Sequence, residues 1–181
     1  MPTLLYRAAI KDLRGDAILP LNDLRELYPD LYEAGVAKYA HRPQTMDITV
    51  HPLGCRWTDV VFLSPVHPAP IFDALRESGR IGPGTLDYWT VEAGLLDPAS
   101  TCILMKRHDP EFRPQPPEDY LPYSPSTVAT LSTPSEKALR RLRNLNATEH
   151  LLPWADIPHI LHRGPIPLTL FRTADGNSIS A

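Results

Sequence analysis

The chain has 181 residues, long enough for one domain with a buried core. With 43% apolar and 22% charged residues it has globular proportions, and a net charge of −3 excludes a global pull on nucleic acid, so such binding would need a local basic patch. Two cysteines, Cys55 and Cys102, exclude a disulfide framework and lack zinc-site spacing. No stretch reads as a secretory leader or a membrane span, so the expectation is a cytoplasmic protein with no membrane partner. The unusual count is 21 prolines, which shorten elements and argue against a helical bundle.

In chain order, "TLLYRAAI" (3–10) alternates well enough for a first strand. Leu21, Leu24, Leu27 and Leu31 have helical spacing, and Pro29 divides them into a helix ending near Tyr28 and a second turn to about Tyr39. Residues 42–56, broken by Pro43 and Pro52, read as a loop. "WTDVVFLS" (57–64) is β-branched and aromatic, a buried strand. A helix over roughly 69–78 follows, with Pro70 in its first turn and Gly79 beyond its end. "TLDYWTVE" (85–92) and "TCILMKR" (101–107) read as strands.

From His108 to Pro134 the chain reads as one long Pro-rich loop, which in a compact domain is functional or disordered. Thr133, Pro134 and Glu136 predict a capping box that opens a helix over 134–145, with Leu139, Leu142 and Leu145 inward and Lys137, Arg140, Arg141 and Arg143 outward. A strand carrying Glu149, a turn at "WADIPH" and a closing strand near "PIPLTLF" complete a single domain over 1–172, with 173–181 a polar, unpaired tail. This order predicts an α+β domain with a strongly bent or split sheet. A doubly wound fold is excluded, because "GRIGPG" (79–84) has neither the spacing nor the preceding strand of a phosphate-binding turn.

Among chemical constellations, no pair of the seven histidines has HxH or HExxH spacing, so no metal site is expected. Ser64 lacks the G-x-S-x-G elbow and is followed by Pro65, which removes the next N–H donor. A third set is Tyr6 and Arg7 on the first strand, Tyr39, His41 and Arg42 in "KYAHR", and Glu149. Arginine forks onto pyrophosphate, an aromatic face stacks nicotinamide, and a carboxylate steadies the cation that develops as a glycosidic bond breaks. Singly, each residue also has an ordinary role: Arg7 and Arg42 as surface ion-pair partners, Tyr39 as core, Glu149 as a solvated side chain.

The stretches "LYRAAI", "YAHRPQ", "DVVFLSPVHP" and "ATEHLLPWADIPHI" occur in the order found in the DarT-type DNA ADP-ribosyltransferase toxins, a branch of the diphtheria-toxin-like transferase fold. Between Leu5 and Ile160 the chain resembles that family, with Arg7 where the family has a histidine and a single arginine, Arg42, earlier than the family's own. The resemblance implies an ADP-ribosyltransferase-like split, strongly bent mixed β-sheet with short flanking helices and NAD as cofactor. It implies catalytic roles for Glu149 and Arg42 and cofactor contacts from Tyr6, Arg7, Tyr39 and His41. It further implies a substrate-recognition loop at 110–134, where Tyr120 and Tyr123 would stack an unpaired base while Arg140, Arg141 and Arg143 track phosphates. The acceptor would be single-stranded DNA or RNA, the cellular partner an antitoxin protein. A protein acceptor, or a binding module that keeps the fold without catalysis, is the alternative.

Overall fold

The computed structural model describes residues 1–179. The first half of the chain forms β1 (Leu4–Ala8), β2 (Ala17–Ile18), α1 (Leu21–Leu27), α2 (Pro29–Ala37), β3 (Thr49–Val50), β4 (Cys55–Arg56), β5 (Val60–Leu63) and α3 (Pro68–Glu77). The second half forms β6 (Tyr88–Glu92), β7 (Thr101–Leu104), β8 (Tyr120–Pro122), α4 (Pro125–Thr130), α5 (Glu136–Arg143), β9 (His159–Arg163), β10 (Ile166–Pro167) and β11 (Phe171–Thr173).

The fold is α+β. Its two larger sheets run β1-β6-β11 and β5-β9-β7-β8, with β2–β10 and β3–β4 as two-stranded pairs. Every one of these pairings is antiparallel, so the mixed sheet expected from the resemblance is corrected. The reason lies in the connections: parallel neighbours need a crossover element between them, whereas here α3 and α5 pair with each other instead. The larger sheets meet at one point, where Tyr6 and Ser64 exchange N–H···O bonds of 2.8 Å in both directions. Beyond that seam β1 and β5 part.

Local chemistry accounts for the elements. Pro29 cannot continue α1 but suits the first position of α2, so Tyr28 ends one helix and begins the next. β5 and β9 are buried on both faces, as their apolar runs dictate. Helices α3 and α5 bury Ile71, Ala74, Leu75, Ala138 and Leu142 against Val66 and Ile157.

Several boundaries differ from the sequence reading. Residues 57–59 form a 3-10 turn, closed by Asp59 Oδ2 accepting from Arg56 N at 2.8 Å, before β5 begins. The cap of α5 is Ser135, whose hydroxyl accepts from Ala138 N, rather than Thr133. The stretch 108–134 is not one loop: it holds β8, paired with β7, and α4, capped by Ser124. Glu149 lies on no strand. The Asn146 side chain accepts from both Thr148 N (3.0 Å) and Glu149 N (3.2 Å), a local turn that competes with any ladder, and Pro153 and Pro158 delay the strand until His159. The tail is paired as well: Thr173 N donates to Asn177 O at 2.9 Å across a turn with Gly176 at φ +82°. Ile179 packs on the core, and residues 180–181 of the predicted tail lie outside the described residues. No helix among the described residues is long and apolar enough to cross a membrane.

Candidate ligand-binding cleft

Just past the seam, the Arg7 guanidinium turns into the gap between the parting strands. Its Nη1 donates to Phe62 O at 2.8 Å, while its buried Nε has no partner among the described residues. Burial pulls its pKa down to about 10, with the Tyr39 hydroxyl opposing. An arginine kept dry with an idle donor is poised for an acceptor that the fold does not provide.

Two adjoining cavities open on this gap. One, of about 400 Å³, is lined by Tyr6, Arg7, Lys38, Phe62, Ser64, Trp154 and His159. The other, of about 250 Å³, is lined by Tyr39, Arg42, Trp57, Phe62, Lys106, Asp109, Phe112, Trp154 and His159. Phe62, Trp154 and His159 line both, so the two adjoin across a shared wall and are described together as the cleft.

Two cations of this cleft, Arg42 and Lys106, rest on rings, whereas Arg107 at its edge is paired with Asp119 at 2.6 Å. The Arg42 guanidinium carbon sits 5.2 Å from the Tyr39 ring centre and 5.5 Å from that of Phe112. Lys106 Nζ lies 5.4 Å from the Trp57 ring centre. Burial lowers the pKa of both, Arg42 lowers that of Lys106 further, and the Nε of Arg42 is also buried without a partner among the described residues. Asp109, the cleft's carboxylate, is engaged by Arg113 Nε at 2.8 Å and Glu111 N at 2.9 Å; the Arg113 bond holds its pKa low.

His159 supplies an acceptor. Its Nδ1 lies 2.8 Å from Ile157 O, and since a carbonyl only accepts, Nδ1 carries the proton and Nε2 keeps its lone pair. Burial, with Lys106 and Arg42 nearby, pushes its pKa down to about 4, so the ring stays neutral near pH 7. The cleft thus offers several cations, Arg7, Arg42 and Lys106 among them, with a neutral imidazole and aromatic walls, a combination matched to an anion that carries flat rings.

The predicted site residues separate into those the fold gathers and those it does not. Tyr6, Arg7, Tyr39 and Arg42 line the cleft. Tyr39 also accepts from Trp57 Nε1 at 3.2 Å, and Tyr6 packs edge-on to His67 and Tyr88. His41 is at the rim, stacked on His150 with ring centres 4.0 Å apart.

Glu149 is exposed outside the cleft, its Oε1 accepting from Asn146 N (3.2 Å) and Nδ2 (2.6 Å). Its expected position at a sheet edge is corrected, although Leu151, two residues on, does line the cleft. Tyr120 and Tyr123, 8% and 6% exposed, have no face left to stack a base, and Tyr123 Oη donates to Ala93 O at 2.7 Å. Pairing of β8 with β7 carries Tyr120 into the core, Tyr123 packs into it just beyond the strand, and burial pushes both pKa values up to about 12.

Arg141 is spent on Asp156 (3.1 Å) and the carbonyls of Leu152 and Ala155. Arg143 pairs with Glu77 (3.0 Å) and Glu136 (3.3 Å). Of the three arginines expected to track phosphate, Arg140 alone is exposed without an ion pair among the described residues.

Sequence reasoning did not pick out Lys106, His159, Trp57, Phe62 or Trp154. The signal for Lys106 was a lysine directly after the apolar run "TCILM", where a strand end carries a long side chain out of the core. No group of three or more His, Cys, Asp or Glu residues able to hold a metal ion occurs among the described residues. No family model, curated protein or solved structure matches the chain.

Proposed function

We propose that the cleft binds NAD and that the protein is an NAD-dependent mono-ADP-ribosyltransferase built on an ADP-ribosyltransferase-like split sheet. The observation that carries this reading is the pair of half-buried arginines, Arg7 and Arg42, each with a buried Nε that has no partner among the described residues. Arginine presents a planar fork suited to pyrophosphate, and each such charge-assisted bond contributes roughly 1.5–3 kcal/mol. Phe62 and Trp154, both half-buried, offer rings for stacking, and His159 Nε2 can accept a hydrogen bond from a ribose hydroxyl. When bound, NAD supplies a glycosidic bond whose cleavage releases nicotinamide. Arg7, Arg42 and Lys106 then hold the phosphates, and the aromatic walls keep water from the reacting carbon. The acceptor in this reading is single-stranded DNA or RNA, reaching the cleft from the rim made by Phe112 and the His41–His150 stack, because Tyr120 and Tyr123 are buried.

Glu149 has to leave Asn146 and turn inward to serve as the catalytic carboxylate. That engagement favours a second reading, in which the cleft binds NAD without cleaving it. Calorimetric titration with NAD, followed by nicotinamide release with and without single-stranded DNA or RNA, separates the two. Transferase activity predicts binding, release, and a drop of roughly 10²–10³ in turnover for Glu149→Gln with binding retained. Binding without release selects the second reading. Wild-type protein that binds no NAD at millimolar concentration overturns both.

A further inference from the structure

A third cavity, of about 360 Å³, lies on the far side of Arg7 beneath the α1–α2 hairpin. Neither helix buries a side chain fully, unlike α3 and α5, which press Ile71, Leu75 and Leu142 into the core. Leu21, Leu24 and Leu31 instead line the hollow, facing Leu13, Ile18 and Val61. The hairpin itself is closed tightly: a Cβ added at Gly35 would stand 2.5 Å from Leu21 Cδ1. The two helices therefore roof a space that they do not fill.

Protein interiors pack to crystal density, and apolar cavities of about 150 Å³ already hold a benzene ring. Volumes of roughly 300–1,000 Å³ are those of small-molecule sites. The aromatic lining residues Tyr39, Trp57 and Phe62 belong to the wall shared with the neighbouring cleft; apart from Tyr28, the remaining apolar wall is aliphatic. Charge is confined to the ends. Arg14 is taken by Asp12 (2.6 Å) and Asp30 (2.7 Å). Arg7, with its unpartnered Nε, and Lys38 stand at the end shared with the cleft.

We propose that this cavity is a binding site for a medium-chain carboxylate, with the unbranched acyl tail along Leu13, Leu24, Leu31 and Val61 and the carboxylate on Arg7 and Lys38. A straight chain matches a half-open, largely aliphatic groove under two helices, and a single anionic head matches two cations at one end of it. The site stands whether or not the adjoining cleft takes NAD. Because Arg7 faces both, a bound acyl carboxylate competes with a phosphate for the same guanidinium.

The test is calorimetric titration of the full chain with hexanoate, octanoate, decanoate and dodecanoate, with decanol as the uncharged control. Affinity is expected to rise about fourfold per added methylene, as for burial of one CH₂, and then to stop rising once the slot is full. Lys38→Met should weaken decanoate at least several-fold and leave decanol unchanged. Leu24→Trp should abolish binding by filling the slot. Leu24→Ala should move the break to a longer chain, and keeps the proposal testable if the tryptophan variant does not fold. The proposal is overturned if decanoate does not bind, if the gain continues unbroken to dodecanoate as in surface adsorption, or if both Leu24 variants keep the wild-type chain-length profile. No arm of this experiment contains NAD, so its failure leaves the nucleotide reading where it stood.

Discussion

The cleft and helix α5 each gather basic side chains, and they use them in opposite ways. On α5, Arg141 and Arg143 reach carboxylates of Asp156, Glu77 and Glu136. In the cleft, Arg7, Arg42 and Lys106 rest on aromatic faces and backbone, two of them with an Nε left idle. Arg141 ties the last helix to the loop beyond it, and Arg143 ties it to the end of α3 at Glu77. Unpaired arginines keep their donors for something that arrives later. A basic cluster is therefore read by its partners, and the number of charges in it decides little.

The largest effect that sharpens this contrast is on stability. Arg141→Met removes three bonds at once and leaves Asp156, 5% exposed, with Lys137 and the His108 N–H as its remaining partners. Because Asp156 keeps those two partners, the loss expected in urea unfolding is about 3 kcal/mol, three bonds at roughly 1 kcal/mol each, and stays short of the cost of a fully uncompensated buried charge. Arg42→Met should cost no more than about 1 kcal/mol, the loss of its contacts with the Tyr39 and Phe112 rings, since it removes a half-buried charge that has no carboxylate partner among the described residues. Equal losses in the two variants would erase the distinction between holding and waiting.

The next effect is on pH dependence and belongs to His159 in the cleft. Its folded-state pKa, about 4, lies below the ordinary value of 6.5. Between those values the unfolded chain binds the extra proton, so stability is complete above pH 6.5 and falls as the pH drops towards 4. The shift corresponds to roughly 3 kcal/mol at most over that window. His162, buried and bonded to the Thr101 hydroxyl at 2.8 Å, is lowered in the same direction. His159→Leu should therefore flatten the acid limb in part, and a limb as steep as wild type would mean that the ring is not held neutral by burial.

Smaller again is the effect on binding. With inorganic pyrophosphate as the probe, Arg42→Met should weaken binding about tenfold to a hundredfold, the loss of one charge-assisted bond of roughly 1.5–3 kcal/mol. Arg143→Ala should leave it unchanged. A probe that weakens equally in both variants is responding to overall charge instead of to the cleft.

How much of this was legible beforehand depended on range. Pro29 and Pro70 act within a few residues, and their helices fell close to where the sequence placed them, while the β-branched run at Val60–Val61 marked a strand shorter than the 57–64 expected. The antiparallel pairing, the Tyr6–Ser64 seam and the burial of Tyr120 opposite Leu104 depend on partners distant in sequence, which no local pattern encodes. Arg7, Tyr39 and Arg42 were found as residue types with a shared chemistry, and the fold brings them together. Glu149 misled because an isolated glutamate before "LLPW" looks like a strand residue, while Asn146 three positions earlier is a better partner for it than any neighbouring strand. His159 was hidden for the opposite reason: "WADIPH" reads as a turn up to its last residue, where the central strand begins.

The smallest expected effect lies within α5 itself and asks whether pairing alone, or pairing with burial, makes an arginine structural. Arg143 has two carboxylates in reach, one more than Arg141, so a count of ion pairs ranks it as the stronger tie. Burial ranks them the other way, because side-chain exposure is 40% for Arg143 and 57% for Glu77, against 16% for Arg141. At such exposure water screens the attraction, and ordering two long side chains offsets much of what remains, so pairs of this kind contribute about 0–1 kcal/mol. Arg143→Ala is therefore expected to cost under about 1 kcal/mol in urea unfolding, and the difference from wild type should vanish in molar salt, where the screening length falls to about 3 Å. A double-mutant cycle with Glu77→Gln isolates the pair from the lost packing of the arginine stem. If Arg143→Ala destabilises as much as Arg141→Met and keeps its effect in salt, exposure is not what separates the two arginines, and the contrast between α5 and the cleft rests on pairing alone.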